Sequence, residues 1–175
     1  SLCLLFKEIT DEIFTAESGQ EALEIISRNI PAEKIELLVF GNRDEENVPK
    51  FPVKVTFLGR IDSEERLAGC YSAADAFLAP SLEDNLPYTV MESLACGTPV
   101  VAFTTGGIPD MVSHLHNGYL ARYRSSEDLA QGISWVYQHP DRNLLNDNAR
   151  QTVESQFSEK VIAAQYISLY KSLLS

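Results

Sequence analysis

Six short apolar runs, separated by stretches of helical periodicity, restrict this chain more than any other feature. They are Leu2–Phe6, Ile35–Phe40, Val53–Leu58, Ala76–Ala79, Val100–Phe103 and Tyr119–Ala121. Strands that alternate with helices mark a parallel sheet covered on both faces, whose strands read as continuous apolar runs rather than alternating ones. The expected class is therefore α/β, a three-layer α/β/α arrangement around a mainly parallel six-stranded sheet. Three of the runs stop abruptly at Gly41, Gly59 or Pro80. In sheets of this kind ligands bind outside the carboxyl ends of the strands, where the strand order reverses, and the loop Pro80–Pro87 lies in such a place.

The connecting segments carry their own signals. Ser18 with Glu21 makes a capping box for a helix over Gly19–Asn29, with Ala22, Leu23, Ile25 and Ile26 as its apolar face. Asp62 with Glu65 repeats the pattern, followed at helical spacing by Leu67, Cys70, Tyr71 and Ala74. Asn42–Lys50 is a polar surface loop, and Asn117-Gly118 is a tight turn before the last strand. Ser125 opens a helix to about Gln138, with Leu129, Ile133, Val136 and Tyr137 inward. Asp141–Gln156 is one amphipathic segment. Ser158 caps a last helix whose Val161, Ile162, Gln165, Tyr166, Leu169, Tyr170 and Leu173 recur at helical intervals. Packing of that helix on the sheet of its own domain is one expectation.

At 175 residues, 45% hydrophobic and 22% charged, the chain is a single globular domain able to bury a core. Lys plus Arg number 14 against 25 Asp plus Glu, a formal net charge of -11. That balance speaks against a nucleic-acid partner, which needs a basic face. It leaves room for one anionic ligand held by oriented amides. Cys3, Cys70 and Cys96 have no CxxC spacing and leave one over in any pairing, so a reduced, cytoplasmic setting is expected. No apolar run approaches the roughly 18 residues of a membrane span, and SLCLLF is short and lacks the basic start of a signal peptide. His114 and His116 do not share a helix face, so no metal site is assigned.

The stretch Pro80–Phe103, PSLEDNLPYTVMESLACGTPVVAF, holds the chemistry. A strand ends at Pro80, a loop carries Glu83, Asp84 and Asn85, and Pro87 suits the first position of a helix over about Tyr88–Cys96. Gly97 suits the left-handed closing position, and Pro99 forbids continuation. The first N–H groups of a helix lack partners and carry about half a positive charge, so an anion is welcome at the amides of Asn85, Leu86 and Tyr88. Carboxylates beside such an anion make sense when the ligand also brings hydroxyls, which they accept in charge-assisted bonds. Phosphate plus hydroxyls describes a sugar nucleotide.

The same stretch resembles the signature of the group 1, or family 4, glycosyltransferases: an acid, seven residues, then Glu, small residues and a GTPVV strand. Asp84 and Glu92 have that spacing, while Glu83 is one residue early. The resemblance runs from about Ile35 to the C-terminus. It implies a Rossmann-like domain, the C-terminal, donor-binding half of a GT-B fold. The acceptor-binding N-terminal domain would then be absent from residues 1–175, and the helices over about 141–174 would form the C-terminal end. In that family the last helix crosses to the other half, the alternative to packing on its own sheet.

The resemblance further implies transfer of a sugar from a nucleoside diphosphate to an unknown acceptor, as in polysaccharide biosynthesis, with retention at the anomeric carbon. It implies neither metal nor other cofactor. Asp84 takes the catalytic role, orienting the sugar, and Glu92 holds the nucleotide ribose. Glu83, Asn85, Leu86, Tyr88, Gly59, Arg60, Gly106 and Gly107 complete the donor-binding set. Asp84 also suits an N-cap or Asx turn, Glu92 a solvated helix position, Gly106-Gly107 an ordinary turn and Arg60 the open surface. Which of Glu83 and Asp84 faces the sugar stays open. Relatives have Gly-Phe-Gly-Leu or similar where this chain has Asn85-Leu86-Pro87. The family also places an Arg and a Lys on the first strand and its loop; the basic residue before Arg28 here is Lys7. The segment has diverged, the pair lies upstream, or Lys7 alone remains of it. A fragment of this kind is expected to bind nucleotide and transfer nothing alone. Peripheral membrane association of the whole enzyme through the other half stays open. Two rival readings are a non-catalytic Rossmann-like nucleotide-binding module and a sugar-nucleotide epimerase of the same architecture. A phospho-acceptor role for Asp75 is disfavoured because it precedes its strand.

Overall fold

In a computed structural model of the chain, which describes residues 2–7, 13–41 and 50–174, the six apolar runs form one sheet in the order β3-β2-β1-β4-β5-β6. The strands are β1 Leu2–Lys7, β2 Ile35–Phe40, β3 Lys54–Gly59, β4 Ala76–Ala79, β5 Val100–Phe103 and β6 Gly118–Ala121. Every neighbouring pair is parallel. The helices are α1 Ile13–Ile26, α2 Glu64–Ala73, α3 Tyr88–Ala95, α4 Ile108–Met111, α5 Ser126–Gln138, α6 Arg142–Gln156 and α7 Glu159–Leu173. The polar loop expected over Asn42–Lys50 lies, except for Lys50, outside the described residues. No described helix is long and apolar enough to cross a membrane.

The two-residue alternation of strands divides the core into two layers. On one face Leu4, Leu78, Val101 and Phe103 pack with Ala22, Leu23 and Ile26 of α1 and Leu129, Ile133 and Val136 of α5. On the other, Leu5, Phe77, Val100 and Ala102 meet Tyr71 of α2, Val90 and Leu94 of α3, Ile108 and Met111 of α4, and Ala149 of α6. All four residues of β4 and all four of β5 are buried. That is why these two strands are uninterrupted apolar runs in the sequence.

Several local expectations need correction. α1 begins at Ile13 and runs through Ser18 and Gly19, so the start expected from Ser18 with Glu21 lies inside the helix. Glu21 instead accepts a bond from Ser126 Oγ of α5 at 2.6 Å, and docking of α1 on α5 outweighs the roughly 1 kcal/mol that an internal glycine costs. α2 is capped by Ser63, whose hydroxyl accepts from the Arg66 N–H, while Asp62 pairs with Arg60. Pro87 stands one place earlier than expected, as the N-cap of α3. Gly118 is the first residue of β6 rather than part of a turn, and Asn117 is wholly buried. Its amide group bonds Met111 O at 3.0 Å and Thr152 Oγ1 at 2.9 Å, tying β6 to α6. Asp75 precedes β4 and is held by Arg142 of α6 and the Cys3 N–H, so it joins α6 to the sheet. α7 departs furthest from packing on its own sheet. None of its residues is buried, and Tyr166, Ile167, Leu169, Tyr170 and Leu173 are all more than half exposed.

Candidate functional site

The strand order reverses between β1 and β4, and the register aligns Phe6 with Leu78. The end of β1 at Lys7 therefore lies beside the end of β4, where the loop Pro80–Pro87 begins. Sequence reasoning placed the candidate acids on this loop and on the helix after it. Pro80, Ser81 and Leu82 are buried, Glu83 is exposed, Asp84 is half-buried, and Asn85 and Leu86 are exposed. Pro87 is buried, so the loop is anchored at both ends and presents its middle.

α3 closes as the sequence implied. Gly97 has φ +77, its N–H bonds Leu94 O at 2.9 Å, and the Thr98 N–H bonds Ser93 O at 2.9 Å. These two bonds form a Schellman closure. The start of α3 is open: Pro87 makes no side-chain cap. Among the described residues, no acceptor meets the N–H groups of Asn85, Leu86 or Tyr88. Asp84 is thus not the N-cap of this helix, and no described group bonds its carboxylate.

The loop is held from β5's side. Thr105 Oγ1 donates to Leu82 O at 2.9 Å, and the Gly107 N–H donates to Asn85 O at 2.8 Å. Contact is so close that a Cβ on Gly106 would lie 1.7 Å from Asp84 O, and one on Gly107 would lie 2.4 Å from Asn85 O. Gly106 also has φ +48. The pair is therefore no ordinary turn: it lets two backbones touch directly behind Asp84 and Asn85.

Glu92 is exposed on α3, but its Oε2 accepts a bond from Tyr71 Oη at 3.0 Å. Tyr71 is 1% exposed and meets Phe40 and Phe77 edge-on, with centroids 5.8 and 5.5 Å away. Burial, reinforced by the Glu92 charge and hydrogen bond, pushes its phenol far above the ordinary tyrosine range, so it stays protonated and donates. Burial likewise raises the Cys96 thiol. Glu64, Leu67, Ala68, Tyr71, Glu92, Ala95 and Cys96 line a hollow of about 280 Å³ between α2 and α3. Asp84 does not line it. Tyr71 was legible only as part of an apolar helix face; the available signal was that a buried tyrosine hydroxyl needs a partner.

The remaining residues are more dispersed. Gly59 ends β3 with φ +65 in open space, and the Arg60 guanidinium bonds Asp62 at 2.6 Å on the exposed surface. Tyr88 is 76% exposed. His114 Nδ1 accepts the Leu120 N–H at 3.1 Å. Among the described residues no three His, Cys, Asp or Glu side chains are grouped as metal ligands.

Comparison with known proteins gives this geometry its setting. Residues 17–139 match the family described as glycosyl transferases, group 1. N-acetyl-alpha-D-glucosaminyl L-malate synthase of Bacillus anthracis is 29% identical over 122 residues, 69% of this chain and 31% of that protein. Sucrose-phosphate synthase of Thermosynechococcus elongatus superimposes with a TM-score of 0.75 at 29% identity, over 99% of this chain and 45% of its own. The Anabaena protein HepE, solved with UDP and glucose, gives a TM-score of 0.76 at 20% identity over 97% of this chain and 48% of its own. The aligned part thus spans about a third of the first curated relative and under half of these structures. The sheet is that of one Rossmann-like half of a GT-B fold, and the chain belongs to the group 1 glycosyl transferases.

Proposed function

We propose that this chain is the donor-binding half of a cytoplasmic glycosyltransferase that moves a sugar from a nucleoside diphosphate to an acceptor, with retention and without a metal ion. The observation that carries the reading is the open start of α3, where the amides of Asn85, Leu86 and Tyr88 have no described acceptor. It lies where the strand order reverses. As the glycosidic bond breaks, charge grows on the β-phosphate oxygen. Fixed amides stabilise it without reorganising, each contributing on the order of a few kcal/mol. Asp84 would take the sugar hydroxyls and Glu92 the ribose hydroxyls. Glu83, Gly59, Arg60 and the Gly106-Gly107 turn would border the donor.

HepE, solved with UDP and glucose, supports a uridine nucleotide as the first ligand to try. Two facts support the reading as one half of a larger enzyme: the aligned span covers 31% of the Bacillus relative, and no residue of α7 is buried on this chain. The acceptor site, and any contact of the whole enzyme with a membrane, belong on this reading to the other half.

Calorimetric titration of UDP, GDP and ADP into the chain tests the proposal. Saturable binding of one of the three is expected, tightened by the matching hexose in wild type but not in Asp84→Ala, with no sugar transfer by the chain alone. Absence of saturable binding for all three nucleotides overturns it and favours a module that kept the fold and lost the chemistry.

A further inference from the structure

We propose that Tyr71 is a positioning residue of the donor site: it pins one oxygen of Glu92 so that the other is presented to the ribose hydroxyls of a nucleoside diphosphate. The inference rests on the ribose role proposed for Glu92 and adds the group that makes that role possible. A glutamate on an exposed helix face samples many rotamers, and holding it in one costs on the order of 1–2 kcal/mol of side-chain entropy. A fixed donor beneath the carboxylate offsets that cost before the ligand arrives.

Tyr71 is such a donor. Its ring is wedged edge-on between Phe40 of β2 and Phe77 of β4. Its carbonyl accepts Thr98 Oγ1 at 2.6 Å, and Thr98's own carbonyl accepts Ser93 Oγ of α3 at 2.9 Å. The end of α2 is thereby tied to the closing turn of α3, which fixes the phenol against the helix that carries Glu92. Among the described residues the hydroxyl's one acceptor is Glu92 Oε2, and Oε1 has no partner. The carboxylate is therefore held by one oxygen and open at the other, beside the hollow between α2 and α3.

The alternative is that Glu92 serves only to satisfy a buried tyrosine. Ribose discrimination separates the two. Affinities for UDP and 2′,3′-dideoxy-UDP are measured calorimetrically on wild type, Tyr71→Phe, Glu92→Gln, Glu92→Asp and the Tyr71→Phe/Glu92→Gln pair. Tyr71→Phe keeps the ring and both edge contacts. It is expected to weaken UDP about tenfold, the scale of one hydrogen bond to a charged group, while leaving the dideoxy analogue within about twofold. Glu92→Gln is expected to abolish the preference for UDP, with no further loss in the double variant. Glu92→Asp leaves the core untouched and is expected to lose most of the preference, because its carboxylate is drawn back by about one C–C bond, roughly 1.5 Å. Equal weakening of both ligands by Tyr71→Phe, no weakening of either, or full preference retained in Glu92→Asp overturns the positioning role. Should Glu92→Gln keep the preference, the ribose role of Glu92 itself falls.

Discussion

Replacing Gly106 by alanine tests the contact that shapes the candidate site. The new Cβ would lie 1.7 Å from Asp84 O and 2.8 Å from Asp84 C, where real Cβ contacts essentially never fall below 3.0 Å. Both neighbours are backbone, so no side chain can rotate away. Relief requires the two loops to part by about 1.3 Å, the difference between 3.0 and 1.7 Å, which strains the Gly107 N–H to Asn85 O bond and the Thr105 to Leu82 bond. Overpacking of this kind costs about 1–3 kcal/mol, and a side chain at positive φ adds about 1 kcal/mol. The sum, about 3 kcal/mol, corresponds to a fall in Tm of roughly 6–12 °C for a domain this size. Gly97→Ala is the internal control. It has φ +77, but its nearest contact is 3.4 Å, so it carries the backbone strain without the clash and should cost about 1 kcal/mol. Circular-dichroism melts of the two variants check the order. Saturable nucleotide binding should also fall in Gly106→Ala and persist in Gly97→Ala, since only the first moves Asp84 and Asn85. A Gly106→Ala melting point within a degree or so of the Gly97→Ala value would refute the reasoning.

Two helical glycines should respond with opposite signs. Gly69→Ala in α2 meets nothing within 4 Å and should stabilise by about 0.5–1 kcal/mol in urea unfolding, whereas a Cβ on Gly132 of α5 would meet Tyr119 at 2.6 Å and Val101 at 2.7 Å, so Gly132→Ala should destabilise. Asp128 is opposed by its own burial, yet hydrogen bonds from the Arg122 N–H, Tyr119 Oη and the Arg122 guanidinium hold its carboxyl below the usual range. Its folded pKa is lower than its unfolded one, so its contribution is complete above the unfolded pKa and is lost as pH falls through the folded one. Wild type should therefore lose stability on acidification more steeply than Asp128→Asn in urea midpoints taken from pH 6 to pH 3; parallel profiles would count against the assignment.

The central strands β4 and β5 were the most legible because burial on both faces leaves little choice of residue. Ile35–Phe40, Ala76–Ala79 and Val100–Phe103 fall where the apolar runs fall, and Gly97 and Pro99 marked the end of α3. What was not legible is tertiary. The start of α1 was misplaced because Ser18 and Gly19 look like a helix boundary, and only docking on α5 carries the helix through them. Nothing local says that Gly106-Gly107 will meet Asp84 and Asn85, about twenty residues away, because that contact exists only once β4 and β5 are paired. The Tyr71–Glu92 bond likewise joins two helices whose spacing is set by the one sheet face on which both pack. The spacing of the apolar residues in α7 marked a helix, but periodicity did not say that none of them would be buried on this chain.

A chain with a net charge of -11 is an unfavourable host for a diphosphate only if charge acts uniformly. At physiological ionic strength a charge more than about 8 Å away is largely screened, so the ligand would respond mainly to its nearest groups. Along the chain those groups come in order: the Asp84 carboxylate, the open amides of Asn85, Leu86 and Tyr88, then Glu92 one turn into α3. Inorganic phosphate or pyrophosphate at the amides would face carboxylates with nothing to interpose. A diphosphate with a polyol on each side would set hydroxyls against the acids and its charge against the amides, turning repulsion into hydrogen bonds. On the proposed reading the excess of acid would thus be no obstacle to anion binding at this site, and it would favour an anion that arrives clothed in hydroxyls at both ends.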